Sequence, residues 1–149
     1  MKKVRVFSLI LLLGFLLMAC ADQSFVATRD PASGEIGHVV EVEGGGQYFD
    51  IGSSELNDML KEKDFFLVNV LDPSEGDIPG TDASIPFDQV SQRLSEFPDA
   101  KDAKIVIYCR SGGRSVKTAK ILIAEGYINV FNLNGGVRAW SEAGYELEP

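Results

Sequence analysis

The sequence predicts an α/β domain over residues 47–149, with a mostly parallel central sheet and helices on both faces. Two observations carry this. From Gln47 onward, short apolar runs alternate with stretches whose apolar residues recur at helical spacing, the pattern of strands joined by crossover helices. The runs Phe65-Phe66-Leu67-Val68-Asn69-Val70 and Ile105-Val106-Ile107-Tyr108 are apolar almost throughout, as expected for strands covered on both sides.

Taken in order, Gln47 to Ile51 reads as a first strand. Ser53 can cap a helix whose Leu56, Met59 and Leu60 share a face at i, i+3 and i+4. Phe65 to Val70 is the next strand. Leu71 to Pro86, rich in proline, glycine and acids, reads as a loop in which Ile85 can form a brief strand. Asp88 fits the cap of a helix presenting Val90, Leu94 and Phe97 inward. After Ile105–Tyr108, a helix from Ser115 to Glu125 buries Val116, Ala119, Leu122 and Ile123, and Gly126 fits its C′ position. Ile128 to Leu133 is the last strand, and Gly135-Gly136 opens a final helix that carries Trp140 and ends at Gly144. Trp140 reads as a core residue that locks this helix to the sheet.

The N-terminus is a different kind of segment. Lys2, Lys3 and Arg5 precede a 13-residue run, Val6 to Met18, interrupted only by Ser8 and Gly14. That is the layout of a secretory signal, and it is short of the roughly 20 residues a permanent spanning helix needs. Leu17-Met18-Ala19-Cys20 resembles the lipobox of bacterial lipoprotein signals. This resemblance implies cleavage after residue 19, lipidation of Cys20 and export to the periplasmic or extracellular face of a membrane. Residues 20–46, with Asp30-Pro31-Ala32-Ser33-Gly34 and Gly44-Gly45-Gly46, then read as a tether, within which Val39 to Val42 can form a short edge strand.

Processing at Cys20 removes Lys2, Lys3 and Arg5, leaving 11 basic residues against 22 acids, a net charge of −11. So acidic a surface argues against nucleic acid as a partner, because that binding depends on neutralising phosphates. His38, the one histidine, has no companions at metal-ligand spacing, and neither a metal nor a cofactor is expected. With Cys20 lipidated, Cys109 is left as the only thiol, so no internal disulfide can form and the cysteine is best explained as a reactive group.

Cys109 begins the stretch Cys109-Arg110-Ser111-Gly112-Gly113-Arg114-Ser115, at a strand-to-helix turn. Glycines let such a turn curl so that successive N–H groups face one point, and the helix N-terminus and the two arginines add positive potential there. The expected result is a cup for an anion around a nucleophilic thiolate. This stretch closely resembles the active-site loop of single-domain rhodaneses, sulfurtransferases that carry a cysteine persulfide. Gly126-Tyr127-x-x-Val130-x-x-Leu133-x-Gly135-Gly136-x-x-x-Trp140 is a second pattern of that family. The resemblance covers residues 47–149 and implies a three-layer fold and persulfide chemistry at Cys109. Arg110, Ser111, Gly112, Gly113, Arg114 and Ser115 would then bind a small anionic sulfur donor such as thiosulfate, and a thiol or cyanide would accept the sulfur.

One departure stands out. The family usually has Asp-Val-Arg after the second strand and Gly-His-Ile-x-Gly-Ala later, where this chain reads Asn69-Val70-Leu71 and Gly76-Asp77-Ile78-Pro79-Gly80-Thr81. The outer wall of the pocket is therefore expected to differ from that of a thiosulfate enzyme. Two other readings stay open: a non-catalytic rhodanese-like binding or sensing module, and a cysteine phosphatase or arsenate-type reductase using Asp72 or Asp77 as general acid. Phosphatase loops resemble Cys-x5-Arg. Here Arg114 closes a tighter Cys-x4-Arg loop.

Overall fold

The computed structural model describes residues 36–149. The signal segment, Cys20 and most of the tether lie outside the described residues. Six strands, β1 (His38–Glu41), β2 (Gln47–Ile51), β3 (Phe66–Asn69), β4 (Ala83–Ser84), β5 (Ile105–Tyr108) and β6 (Val130–Leu133), form one sheet in the order β1-β2-β6-β5-β3-β4. Every neighbouring pair is parallel except β1–β2, which is antiparallel. Three α-helices, α1 (Ser53–Leu60), α2 (Gly113–Ala124) and α3 (Gly136–Glu142), accompany the sheet among the described residues. Every residue of β5 and β6 is buried, so the centre of the sheet is covered on both faces.

The sheet reaches back to His38, into the segment read as a tether. Gly44, Gly45 and Gly46 all have positive φ (96°, 107° and 83°) and make the β1–β2 hairpin turn, closed by Val42 N–H on Gly46 O at 2.9 Å. Only glycine enters that region freely, so the three glycines have a structural reason to be here.

Strand order places the site. After β3 the chain runs outward to β4, then returns to the other side of β3 as β5 and continues away to β6. The loops leaving the carboxyl ends of β3 and β5 therefore diverge, and open α/β sheets bind ligands in the crevice at such a switch point. Cys109 follows β5 directly, and Leu71 to Glu75 follow β3.

Several expectations shift. The segment from Asp88 to Phe97 is not an α-helix but two 3₁₀ turns, Val90–Gln92 and Leu94–Glu96, broken at Arg93. Gln92 N–H and Arg93 N–H bond Gln89 O and Val90 O, Phe97 N–H bonds Leu94 O, and these short turns suffice to bury Val90 and Phe97. Gly52, not Ser53, caps α1, its N–H donating to the Glu55 carboxylate at 2.7 Å. The extra pairing beside β3 falls on Ala83–Ser84, although Ile85 N–H still bonds Asn69 O at 2.8 Å. Helix α2 starts two residues early and buries Ser115, Thr118, Ala119 and Leu122, leaving Val116 and Ile123 only partly covered. Gly126 does terminate α2 at φ 91°, and Trp140, 2 % exposed, packs at a tilt against the Tyr145 ring and donates to Glu146 O.

Among the described glycines, the one with least room for a side chain lies where α3 meets the loop after β5. Gly136 has φ 57°, and a Cβ there would fall 2.1 Å from Cys109 O and 2.6 Å from Arg110 C. Nothing larger than glycine fits. Gly136→Ala is expected to cost about 3 kcal/mol from overpacking and the left-handed backbone together, read by urea denaturation. Gly113→Ala, where a Cβ meets nothing within 4 Å, should stay within about 1 kcal/mol of the parent.

Candidate active site

Cys109 sits at the carboxyl end of β5, 1 % exposed. Gly112, at φ 97°, turns the chain into α2, and its N–H donates to Cys109 Sγ at 3.2 Å. Ser115, on the first turn of α2, places its hydroxyl 3.5 Å from the sulfur and 2.9 Å from Gly112 O. This hydroxyl can accept from the thiol while donating to Gly112 O, or turn and donate to the thiolate.

Burial pushes the Cys109 thiol up, but hydrogen bonds outweigh it. The Ser115 hydroxyl and the backbone N–H groups of Ser115, Ser111 and Arg114 favour the anion, and the net direction is downward. The cup is built of backbone amides, with a hydroxyl at its base.

The back of the loop is held by α3. Val137 N–H donates to Cys109 O at 2.9 Å and Arg138 N–H to Arg110 O at 3.1 Å. The Arg110–Ser111 peptide is planar, so fastening its carbonyl to Arg138 turns the Ser111 N–H the opposite way, toward the sulfur. The Gly135-Gly136 pair thus has a local function: it lets α3 approach closely enough to orient the cup.

The two arginines are directed elsewhere. Arg110 is mostly exposed and pairs with Glu75 at 3.3 Å. Arg114 donates from Nη1 to Asp72 O at 3.1 Å and lies 5.3 Å from the Phe87 ring centroid. Arg114 therefore ties the β5–α2 loop to the β3–β4 loop. The guanidinium charges that the sequence suggested as stabilisers of the thiolate are thus engaged at the walls.

In front of the sulfur is a cavity of about 480 Å³, walled by Leu71, Asp72, Pro73 and Glu75 on one side and by Arg110, Ser111, Gly113, Arg114 and Lys117 on the other. Lys117 is absent from the sequence-based site, yet it lies three residues beyond Arg114 on α2 and so on the same face. Glu75 had no local signal, because only the path of the β3–β4 loop brings it to Arg110.

The departures at Asn69 and Asp77 meet beneath this wall. Asn69 Nδ2 donates to Asp77 Oδ1 at 2.7 Å and to Ser74 Oγ at 3.1 Å, while Asn69 Oδ1 accepts Leu71 N–H at 2.9 Å. The Tyr108 hydroxyl is 3.1 Å from Asp77 Oδ1 and 2.7 Å from Thr81 Oγ1, and it accepts Ile78 N–H at 3.1 Å. Burial, chiefly, drives the Tyr108 phenol well above its ordinary range, so it stays neutral. Where the family pattern has an acid and a histidine, this chain has an amide and an acid, with the acceptor moved to the other position. Asp77 is occupied within this network. Asp72, the other acid considered, does line the cavity.

Two outcomes follow from this geometry. A lowered pKa means more thiolate at a given pH, so the rate of iodoacetamide alkylation at Cys109 should reach half its plateau below the free-thiol value of about 8.5. Ser115→Ala should move that midpoint upward more than Arg110→Ala does. Asn69→Asp would set two carboxylates together and cost about 1–3 kcal/mol, and Asn69→Asp with Asp77→His should regain most of it in a double-mutant cycle.

The model of the Rhodanese-like domain family matches residues 53–143 of this chain. A sulfurtransferase of Allochromatium vinosum is 39 % identical over 102 residues, which span 66 % of this chain and 92 % of that protein. The crystal structure of a rhodanese-like domain protein from Staphylococcus aureus superposes with a TM-score of 0.57 at 34 % identity, covering 67 % of this chain and 98 % of that one. A Rhodopseudomonas palustris protein described as a possible tyrosine phosphatase is similar at 28 % identity and TM-score 0.57, over 65 % of this chain and 82 % of that one. With a cysteine loop at the switch point of a mostly parallel sheet and a family match spanning α1 to α3, this chain belongs to the rhodanese-like domain family.

Proposed function

We propose that the protein is a lipid-anchored, exported sulfurtransferase that carries sulfur as a persulfide on Cys109. The observation that carries this reading is the amide cup at Sγ, where Gly112 N–H donates at 3.2 Å and the N–H groups of Ser111, Arg114 and Ser115 favour the anion, in a loop with four residues between Cys109 and Arg114. Such a cup can hold the charge of a terminal sulfur one atom beyond Sγ, an electrostatic role of the oxyanion-hole type.

The reaction is two displacements. Cys109 thiolate attacks the sulfane sulfur of an anionic donor such as thiosulfate. An S–S bond forms to Sγ, the donor's S–S bond breaks, and sulfite leaves with the electron pair. A thiol or cyanide then attacks the outer sulfur, and Cys109 leaves as thiolate. Similarity to a sulfurtransferase supports the reaction class, and the likeness to a possible tyrosine phosphatase keeps phosphoryl transfer as the second reading. Four intervening residues make a small ring, better matched to one sulfur atom than to three equatorial oxygens and an in-line leaving group.

Outside the described residues, the reading places a leader over 1–19, a lipid on Cys20 and a short tether before the sheet. One acyl chain anchors only marginally, so several chains on the terminal cysteine are expected.

Thiosulfate should add the mass of one sulfur to Cys109, cyanide should remove it, and Cys109→Ser should gain nothing. Hydrolysis of an aryl phosphate without sulfur uptake from any donor would replace this reading with phosphatase. Cys20→Ser should leave an unprocessed precursor, whereas wild-type protein recovered as an exported species without lipid would refute the anchor.

A further inference from the structure

We infer that the cavity beside Cys109 is built for an organic persulfide, R–S–SH, as sulfur donor in preference to thiosulfate, with Leu71 and the Arg110–Glu75 pair setting the choice; this rests on the persulfide reading of Cys109. The cavity, about 480 Å³, falls within the range of about 300–1,000 Å³ that organic ligands occupy. Thiosulfate is a small dianion, and holding it well requires cations free to turn toward it. Arg114 donates to Asp72 O and lies against Phe87, and Arg110 faces Glu75 at 3.3 Å. Two acids, Asp72 and Glu75, stand in the facing wall and repel a dianion. Lys117 is the remaining cation of the lining, and it too is drawn toward Phe87, 5.8 Å from the ring centroid.

The rest of that facing wall is apolar. Leu71 is 5 % exposed and lines it together with Pro73, directly above the Asn69–Asp77–Tyr108 network that fixes the start of this loop. A carbon body can displace water from Leu71 and Pro73, which a trioxosulfur group cannot do favourably. An ammonium on that body would face Asp72 and Glu75, and a carboxylate would face Lys117. The donor that matches is a small persulfide with both charges.

The step balances without any further reactant. Cys109 thiolate attacks the outer sulfur of R–S–SH, the Sγ–S bond forms, and the donor's S–S bond breaks with its electron pair leaving on R–S⁻. The proton of the hydropersulfide passes to the departing R–S⁻, giving R–SH and the enzyme persulfide anion. No net oxidation or reduction occurs, and the ring of amides receives the charge on the transferred sulfur.

The test compares cysteine persulfide with thiosulfate as donors to the full-length protein. Persulfide formation on Cys109 is followed by rapid-quench intact mass, and Cys109→Ser supplies the background. The wild type should load from cysteine persulfide with kcat/KM at least about tenfold above that for thiosulfate, the size of one charge-assisted hydrogen bond. Leu71→Arg should shift that ratio toward thiosulfate by about tenfold. Glu75→Gln, on an exposed side chain where folding is not at risk, should shift it the same way by releasing Arg110. Loading as fast or faster from thiosulfate in the wild type, or a ratio that neither variant moves, overturns this inference while leaving the sulfurtransferase reading intact. Failure of both donors to place sulfur on Cys109 overturns the sulfurtransferase reading itself.

Discussion

The carbonyl groups of Cys109 and Arg110 accept hydrogen bonds from Val137 and Arg138 at 2.9 and 3.1 Å. Much of the site follows from this pair of bonds. A trans peptide points its N–H opposite to its C=O, so fixing the Arg110 carbonyl behind the loop turns the next amide toward the sulfur. The approach is possible only because Gly136 has no side chain, and α3 is in turn held down by Trp140 through its packing on Tyr145 and its bond to Glu146 O. A residue 27 positions after the cysteine therefore helps to shape its environment.

Electrostatics divides into two layers with different tasks. Next to the sulfur are amides and one hydroxyl, which lose little on ionisation of Cys109 because they are already oriented. Further out, the arginines act as structural ties: Arg114 joins two loops through Asp72 O and Phe87, and Arg110 is matched to Glu75. This separation shields the amide cup from the acidity of the chain, since the amide partial charges act at contact range while the surface charges are screened within about 8 Å.

Much of this was legible in the sequence. The buried strands stood out because Phe65–Val70 and Ile105–Tyr108 lack a polar face, and the cup stood out because glycines, serines and arginines surround a cysteine at a strand–helix boundary. Three things were hidden. The Asp88–Phe97 segment has helical spacing at Val90, Leu94 and Phe97, but spacing alone does not separate an α-helix from successive 3₁₀ turns, which also bring Val90 and Phe97 into the core. Gly44 to Gly46 look alike whether they form a linker or a hairpin turn, and the difference lies in β1 finding a partner in β2. The partners of Arg110 and Arg114 come from a loop about 40 residues away in the chain, set by sheet order, which no local pattern encodes.

Backbone amides, and not guanidinium groups, favour the anionic sulfur of Cys109. The most direct measurement is a pH titration of the ¹⁵N–¹H spectrum. The amide protons of Ser111, Gly112, Arg114 and Ser115 should move downfield together, with a single midpoint below the free-thiol value of about 8.5, and should stay in place in Cys109→Ser. Amides that titrate at or above the free-thiol value, or that remain fixed while the guanidinium Nε–H signals of Arg110 and Arg114 move, would contradict it.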